Sequence, residues 1–474
     1  MTIEIITEKI PINSKPYQNI DNISLTTDSE ELINGVIDTS GTTKKCWGLD
    51  LLFDLSTSIP YNIDGIYGWT LRSKLVIVAS GHVYTIANLN SLPVEITGDA
   101  PLSGNKIIFA ECMGSLFIAS GGRIIYTNGT ANTAYIADAA APINCNYVVF
   151  IDQYLIATDE GSDDIYYSEV GDPLTWAYLN FITTESNLDT SVALDVLNRN
   201  ICILGKKSLE IWYNDGVTPF VRRNDLMFSS GISAKYSLAQ SKDGLFWLSD
   251  KKEVLFFNGS SVQTVTGPIT NKIQELNIYS DAEGYINYVE GNYFYILHFP
   301  IESKTFVFDI ANQYWFLRMG WDAATSYYSS YIGKCHIYFP DWKISIVSDS
   351  SVSKLYTATY NTFTDNGETI KLTKRTGHVG KSISKKKLCS SITLKVKRGA
   401  ILNGNDEAFF TFRYRTDNKI WSQTRKFSLG KAGNLDFIFK IFASGIYYTR
   451  QYEICCSDNI DFKIIDMEES HTVL

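Results

Sequence analysis

The sequence is poor in the features that most often carry catalysis or cross a membrane. It contains 5 His, 5 Met and 11 Pro in 474 residues. No apolar run approaches the roughly 18 residues that a membrane span needs, and the first ten residues contain acids where a secretory signal would be basic and then apolar. No serine nucleophile elbow accompanies the few histidines, so nucleophilic catalysis is not expected. Synthesis in a cytoplasm is expected.

Cysteine is present, but not in a pattern that binds metal. No C-x-x-C spacing occurs, so the rules for a zinc site are not met. Most cysteines lie inside apolar runs, where a reduced thiol packs as a small hydrophobic group. We therefore expect free structural thiols, no metal site and no cofactor. The eight residues are Cys46, Cys112, Cys145, Cys202, Cys335, Cys389, Cys455 and Cys456.

Aromatic residues and a repeat of short hairpins are what the sequence has in abundance. It holds 29 Tyr and 25 Phe, and flat, stiff side chains favour strands over helices. Seven times an apolar run, a polar or glycine-containing turn and a second apolar run follow one another. Successive hairpins begin 41, 38, 47, 44, 49 and 41 residues apart. They begin at Leu75, Leu116, Tyr154, Ile201, Leu245, Phe294 and Cys335.

A repeat of this length predicts an all-β protein, a β-propeller with four-stranded blades. Each hairpin is apolar on both faces and must be covered on both sides, which neighbouring blades in a closed ring provide. About seven blades are expected, with six or eight left open. The segment from Lys44 to Leu55 either closes the last blade or belongs to the first.

Composition divides the chain into four predicted parts. Residues 1–43 are predicted as an extended arm that docks on the body or on a neighbour, and residues 44–363 as the propeller. Residues 364–390 are expected to be a basic linker, and residues 391–474 a small β-sandwich. From Asp365 onwards the chain carries 19 Lys and Arg against 12 Asp and Glu, a net charge of +7, while the rest carries −16. This asymmetry favours an assembly in which unlike surfaces meet.

Three groups of residues are candidate sites. A basic group could contact DNA or an acidic partner through salt-sensitive attraction, although a solvated face is the ordinary role of such lysines. Five carboxylates near strand ends could form a glycosidase pair, and an acidic turn could hold calcium. Surface carboxylates and a solvated hairpin tip are the commoner interpretations of these two groups. The basic group is Lys385, Lys386, Lys387, Lys395, Lys397 and Arg398; the carboxylates are Glu111, Asp152, Glu169, Asp195 and Glu210; the turn holds Asp159, Glu160, Asp163 and Asp164.

The hairpin units also resemble a known family. ICILGKKSLEIWYNDG from Ile201, YLIATDEGSDDIYYSEVGDPLTW from Tyr154 and FYILHFPIESKTFVFDIANQYW from Phe294 are similar to strand pairs of the tail-hub, or packaged-DNA stabilisation, proteins of short-tailed phages (podoviruses). The resemblance covers the chain from Cys46 to its C-terminus. One departure is Cys46-Trp47-Gly48-Leu49, where the family tends to have P-G-L before the first blade.

The resemblance implies a non-enzymatic virion protein, located in the tail after synthesis and assembly in the host cytoplasm. Its implied partners are further copies of itself in a homo-oligomeric ring, expected to be a hexamer; the portal-bound adaptor; a tail needle or plug; tailspikes or tail fibres; and packaged DNA passing non-specifically through the lumen. Two other functions stay open at this point. One is a carbohydrate-binding or glycoside-cleaving propeller, and the other is a cytosolic repeat scaffold.

Overall fold

The computed structural model describes the chain at residues 5–15, 30–130, 132–184, 190–217, 219–380, 385–399, 407–431, 435–442 and 445–474. The described residues form β-strands almost throughout. The helices are one short α-helix, α1, at Thr270–Gln274 and three 3-10 turns at Thr70–Arg72, Lys235–Ser237 and Gly267–Ile269. None of these helices has the length and apolar character that a membrane crossing requires.

Five strands precede the first repeat, and the next sixteen form the first four blades. The N-terminal strands are β1 (Ile6–Lys9), β2 (Glu31–Ile33), β3 (Gly35–Ile37), β4 (Thr43–Lys45) and β5 (Gly48–Asp54). Blade 1 is β6 (Ile63–Trp69), β7 (Lys74–Ala79), β8 (His82–Ile86) and β9 (Val94–Ile96); blade 2 is β10 (Ile108–Cys112), β11 (Ser115–Ala119), β12 (Ile125–Thr127) and β13 (Ala134–Tyr135). Blade 3 is β14 (Val148–Ile151), β15 (Tyr154–Thr158), β16 (Asp164–Glu169) and β17 (Asp172–Thr183); blade 4 is β18 (Ser191–Leu197), β19 (Asn200–Gly205), β20 (Leu209–Tyr213) and β21 (Val221–Phe228).

Two further blades have four consecutive strands, and a seventh unit is composite. Blade 5 is β22 (Ala239–Ser241), β23 (Gly244–Leu248), β24 (Val254–Phe257) and β25 (Val262–Thr264); blade 6 is β26 (Glu283–Val289), β27 (Asn292–Phe299), β28 (Lys304–Asp309) and β29 (Tyr314–Leu317). A small ribbon follows, β30 (Gly320–Asp322) with β31 (Tyr327–Ser329). The seventh unit contains β32 (Gly333–Phe339), β33 (Ile344–Asp349) and β34 (Lys354–Thr359).

The N-terminal strand β5 completes the seventh unit. It pairs antiparallel with β34, with Asp50 opposite Thr357 and Gly48 opposite Thr359. Of the two roles open for this segment, the structure therefore shows the closing one. Six blades of consecutive strands and this composite unit follow one another around the axis, and β32 contacts β6 to close the ring. The predicted all-β propeller is confirmed.

The alternation of side chains along each strand explains why the blades stack. In β7, Leu75 and Ile77 face the seventh unit in one apolar cluster, whereas Val76 and Val78 face blade 2 in another. All four side chains are fully buried, and each contributes about 1.5–3 kcal/mol of hydrophobic stabilisation on burial. A strand that is apolar on both faces is therefore stable only between two neighbours.

The C-terminal region adds two packed sheets, which we call the C-terminal sandwich. The strands of the chain after the composite blade are β35 (Thr364–Asp365), β36 (Glu368–Thr369), β37 (Leu372–Arg375), β38 (Lys387–Arg398), β39 (Phe409–Thr416), β40 (Arg425–Ser428), β41 (Asp436–Ile441), β42 (Ile446–Tyr447), β43 (Arg450–Cys456) and β44 (Phe462–Val473). One sheet has the order β3-β4-β44-β38-β41, with β1 on β44 and β42 on β38. The other continues blade 6 outward as β29-β2-β37-β43-β39-β40. The two short strands β35 and β36 extend the composite blade instead.

The described part of the predicted arm and linker is built into these sheets. Strand β1 pairs with β44, and β2 lies between β29 and β37. The arm therefore docks on its own body where it is described; residues 1–4 and 16–29 lie outside the described residues. The expectation that 364–390 is only a linker was wrong, because β35, β36, β37 and the start of β38 fall inside it. The exact domain boundaries stay a prediction.

The linker interpretation was wrong because basic residues of this segment are buried or half-buried in a sheet rather than exposed to solvent. Lys374 is fully buried, and its ammonium group lies 2.6 Å from the carboxylate of Glu30. Next to it, Arg375 pairs with Glu31 at 2.9 Å. A strand with lysine and arginine can lie inside a sheet when acidic residues from a distant segment compensate for them.

Candidate functional site

The basic residues predicted as an electrostatic contact are divided by the structure. Lys385, Lys386, Lys395 and Lys397 are exposed. Lys397 pairs with Asp436 at 3.4 Å, and the half-buried Lys387 lies 2.6 Å from Glu8. Since β38 alternates between its two faces, Lys395 and Lys397 lie on the same outer side of the sheet.

Arg398 does not belong to this surface, and its assignment as an electrostatic contact was wrong. It is 2% exposed and donates hydrogen bonds to the backbone carbonyls of Leu429 and Gly430. Its position as the next residue in β38 after the exposed Lys397 turns the side chain into the core. There it ties β38 to the loop that follows β40.

The five candidate carboxylates do not form one catalytic pair in the contacts of the structure. Asp152 pairs with Arg199 at 2.6 Å in a hairpin turn, Glu169 accepts a hydrogen bond from Asn180, and Glu111 lies 3.4 Å from the Tyr67 hydroxyl. Glu210 is buried and accepts a hydrogen bond from the Trp212 indole. Each of these four is engaged locally.

Asp195 differs from the other four, because it has little to compensate its charge. Burial raises the pKa of this carboxyl to about 7, and one backbone N–H, from Val196, offsets only part of that effect. A carboxyl with a pKa near neutrality can act as an acid or base. Its hydrogen bond comes from the backbone, and nothing in the described contacts links it to a second candidate carboxylate, so the glycosidase interpretation gains no support.

The acidic turn in blade 3 holds its side chains apart. Asp159 accepts a backbone hydrogen bond from Asn144, Asp164 accepts one from the Thr183 hydroxyl, and Glu160 lies 3.3 Å from the Lys235 ammonium group. In the described part of the chain, no three His, Cys, Asp or Glu side chains are placed to share a metal ion. The calcium interpretation gains no support.

The propeller axis is crossed by a polar side chain that sequence reasoning missed. Lys106, just before β10 in blade 2, donates hydrogen bonds to the carbonyls of Tyr236 at 3.0 Å and Gly284 at 2.7 Å. These acceptors belong to blades 5 and 6, on the far side of the ring. Burial lowers the pKa of Lys106, while the charge of Glu283 opposes that shift. A lone lysine before an apolar strand carries no sequence signal for such a role.

Further cross-axis contacts surround Lys106. The Tyr147 hydroxyl of blade 3 donates to the carbonyl of Lys235, and the Tyr236 hydroxyl donates to the side chain of Asn146. The backbone is also closely packed: a Cβ on Gly284 would lie 2.1 Å from the Ser237 carbonyl oxygen. This end of the axis is filled by side chains that hydrogen-bond to the blades opposite, whereas a duplex needs an open channel many times wider than one side chain. Duplex DNA does not fit through the propeller.

A second buried polar group joins the propeller to the C-terminal sandwich, and we call it the junction. The Arg318 guanidinium, fully buried after β29, lies 2.6 Å from Asp365. It also donates to the side-chain oxygen of Asn34 and the carbonyl of Trp47, each at 3.2 Å. The Trp47 ring packs on Phe294 of blade 6 at 4.6 Å. The junction fixes four distant segments in one arrangement.

Solved structures of low sequence identity are among the proteins to which this chain is similar. Among solved structures, the extracellular domain of the putative one component system BT4673 from B. thetaiotaomicron is 11% identical, with a TM-score of 0.46, covering 86% of this chain and 62% of that chain. YCF48 bound to D1 peptide is 10% identical, with a TM-score of 0.40, covering 66% and 95%. The N-terminal domain of Nup159 is 10% identical, with a TM-score of 0.40, covering 69% and 99%. A search among curated proteins gave no match.

A family model gives the informative match. Residues 62–361 match the model described as "Bacteriophage P22 Gp10, beta-propeller". This range is well over half of the chain, and it begins one residue before β6 and ends two residues after β34. The matched range therefore covers the six blades of consecutive strands and the strands β32 to β34 of the seventh unit, but not the closing strand β5.

Proposed function

The chain belongs to the bacteriophage P22 Gp10 β-propeller family, and from this premise we propose that it is the tail hub, or head-completion ring, of a short-tailed phage. At the level of the family it is a phage structural β-propeller and a component of the virion. The proposal adds that several copies, as a hexamer, extend the channel of the portal-bound adaptor. In that position they retain packaged DNA and anchor the tail needle and the receptor-binding spikes. Synthesis and assembly take place in the host cytoplasm.

The observation that carries the proposal is the family match over residues 62–361, which hold every strand of the ring except β5, and the closed axis refines it. Because Lys106 spans the propeller axis, DNA would pass between copies and not through a single chain. Each chain then acts as a solid block in the wall of a channel. Affinity in such a ring comes from contacts repeated at each subunit boundary.

The exposed lysines at the start of the C-terminal sandwich fit a role next to DNA or an acidic partner. Lys385, Lys386 and Lys395 form no ion pair with another described residue, and Lys397 has only a long one. Contacts of lysine with phosphate weaken steeply as salt rises. We propose that these four residues attract a negatively charged partner, either DNA or an acidic protein surface, by charge and without reading a nucleotide sequence.

Assembly on the portal is the direct test. The full chain is mixed with a complex of the phage's portal and adaptor, and native mass spectrometry counts the copies bound. We expect a fixed number of copies, six for a hexamer, and no binding to the portal alone. A chain that remains unbound in the presence of the adaptor would overturn the proposal.

DNA retention gives an independent readout. Phage particles assembled without this protein are expected to package DNA and then lose it, which nuclease sensitivity of the released genome measures. Particles supplemented with the purified chain should become nuclease-resistant. Full resistance in its absence would contradict a role in DNA retention.

A further inference from the structure

Blade 3 and the segment that leads into it carry one sign of charge. Residues 124–184, which run from β12 of blade 2 to the end of blade 3, contain eight Asp and Glu and no Lys or Arg. Among the acids, Glu160, Asp163, Glu169 and Asp172 are exposed. Of these, only Glu160 forms an ion pair with another described residue. The charge of this blade is therefore not neutralised within the described chain.

The same blade also exposes large apolar side chains. Its outermost strand, β17, shows Leu179 at 85% exposure and Tyr178 at 72%. They lie where the pairing of β16 with β17 shifts register, so residues 177–180 project from the ladder. In the described chain β17 pairs with β16 alone, and its other edge is open. We call β17 with these acids the acidic edge; exposed apolar groups next to a free strand mark an interaction surface.

The C-terminal sandwich presents the opposite combination. Segments 385–399, 419–431 and 435–442 together contain eleven Lys and Arg and one Asp. On the outer face of β41, Ile438 is 70% exposed, and Phe442 just beyond it is 69% exposed. Lys395 lies opposite Ile438 in the neighbouring strand. Strand β41 pairs with β38 alone among the described strands.

The edge of the second sheet adds to this surface. Arg425 of β40 donates a hydrogen bond to the Phe442 carbonyl, so β40 and β41 lie side by side at one border of the sandwich. Arg425, Lys426 and Lys440 are exposed there. Asp436, the one acid in these segments, is already paired with Lys397. Asp466 of β44, which lies opposite Lys395, is paired with Lys9. We call β40, β41 and the outer face of β38 the basic edge.

The two edges cannot meet within one chain. The C-terminal sandwich continues blade 6 through β2 and β37, whereas blade 3 is separated from blade 6 by two blades in one direction around the ring and three in the other. Complementary patches on opposite sides of a molecule make a head-to-tail contact, which closes into a ring when the rotation allows it.

We propose that the acidic edge of one copy binds the basic edge of the next copy of this chain. This inference rests on the proposed function, because it identifies the surfaces by which copies would form the ring. Apolar contact between Leu179 and Tyr178 on one side and Ile438 and Phe442 on the other supplies the buried area. The unlike charges around them set the register and exclude contact of like edges.

Cysteine cross-linking tests the pairing directly. Leu179→Cys and Ile438→Cys are made as separate full-length variants, mixed, and oxidised mildly. Background should be low because seven of the eight native cysteines are buried and Cys335 is half-buried. We expect a disulfide-linked dimer from the mixture and little from either variant alone. The control pair, Leu71→Cys with Val217→Cys, is similarly exposed and should cross-link at least tenfold more slowly.

Charge reversal tests the electrostatic part. Asp163→Lys with Glu169→Lys on one edge, or Lys395→Glu with Lys440→Glu on the other, should weaken self-association at least tenfold in sedimentation velocity, and mixing the two reversed proteins should restore it. Asp243→Lys with Asp341→Lys makes the same change in net charge at exposed positions elsewhere and should have little effect. Unchanged thermal unfolding confirms that each variant is folded.

The outcomes separate this interface from the function. If the wild-type chain assembles on the adaptor but the Leu179→Cys and Ile438→Cys variants do not cross-link faster than the control pair, the interface is wrong and the hub function stands. If reversal at either edge leaves association unchanged, the interface is also wrong. A chain that never self-associates, even with the adaptor present, overturns both.

Discussion

The propeller and the C-terminal sandwich, both built mainly from strands, bury different kinds of residue. Among the described residues from 55 to 282, the charged side chains that are almost fully buried are two carboxylates, Asp64 and Glu210. Elsewhere in the described chain the buried charged residues are Lys45, Asp309, Arg318, Asp349, Asp365, Lys374, Arg398, Arg450, Glu453 and Glu469. Both regions have apolar cores, but the junction and the sandwich also bury ion pairs, such as Arg318 with Asp365 and Glu453 with Arg375.

This difference determines how each region should respond to mutation and pH. Apolar burial is non-directional and tolerates changes that preserve volume. A buried ion pair contributes little net stability, but loss of one partner leaves an uncompensated charge. The C-terminal region should therefore be specific in arrangement and sensitive to single charge changes, and the propeller should be sensitive to changes of size.

The junction should give the largest effect. Asp365→Ala leaves the fully buried Arg318 guanidinium without its partner at 2.6 Å, and we expect the free energy of unfolding to fall by about 3–5 kcal/mol. Denaturant unfolding measures this loss. Replacing both partners, Arg318→Met with Asp365→Leu, should recover much of it.

The exposed pair of Lys354 with Asp54, 3.5 Å apart, serves as the matched control. Asp54→Ala should lower the free energy of unfolding far less than Asp365→Ala does, because solvent screens an exposed pair. If the losses at Asp54 and Asp365 were equal, the contrast between buried and exposed pairs would not hold in this protein.

Truncation of a buried apolar residue in the propeller should lower the free energy of unfolding by a similar or slightly smaller amount. Leu116 is fully buried between blades 1 and 2, and Leu116→Ala should cost about 2–5 kcal/mol with no dependence on pH. Leu92→Ala, at a side chain that is 77% exposed, is the control and should change stability little. If the loss of stability in Leu116→Ala depended strongly on pH, the propeller would not differ from the C-terminal region in the way proposed.

The same contrast explains what could be predicted from the sequence. Alternation in runs such as Leu75–Ala79 predicts strands covered on both faces, and the spacing of the hairpins predicts the ring. The junction could not be predicted, because Asn34, Arg318 and Asp365 are far apart in the chain and a pair of single charges has no period. For the same reason the cross-axis role of Lys106 could not be predicted. Arg398 was predicted to be exposed because Lys395 and Lys397, just before it in the sequence, form a basic group with it.

Acid should weaken the sandwich before it affects the apolar blades. Burial alone would raise the pKa of Glu453, but hydrogen bonds from Arg413 at 2.5 Å and Arg375 at 2.8 Å outweigh it and hold this pKa below its usual value. A carboxylate with a lowered pKa in the folded state contributes stability above its ordinary pKa, near 4.5, and loses it as pH falls through the lowered value.

Glu453→Gln tests this assignment. It should cost about 1.5–3 kcal/mol at pH 7 and should make unfolding less dependent on pH below about 4.5. Thermal unfolding from pH 3 to pH 7 measures both. Glu468→Gln, at an exposed carboxylate in the same sandwich, should leave the acid dependence as it is in the wild type; an equal change there would remove Glu453 as its source.

Asp195 in the propeller should show the opposite pH dependence to Glu453 in the sandwich, so this carboxyl gives the finest comparison of the two regions. The pKa of Asp195 is raised by burial to about 7, so the folded state holds a proton that the unfolded chain releases near pH 4. A raised carboxyl pKa lowers stability as pH rises from about 4 to about 7, and the loss is complete above that range. The shift of about three pKa units corresponds to roughly 4 kcal/mol at about 1.4 kcal/mol per unit. Asp195→Asn should therefore increase the free energy of unfolding at pH 8 by less than this amount, because the asparagine amide must itself be buried. At pH 4 it should change stability little.

Asp152→Asn, at a carboxylate paired in an exposed turn of the adjacent blade, is the matched control and should show no gain at pH 8. Equal stability of Asp195→Asn and the wild type at both pH values would mean that the carboxyl is solvated and that the propeller is indifferent to pH throughout.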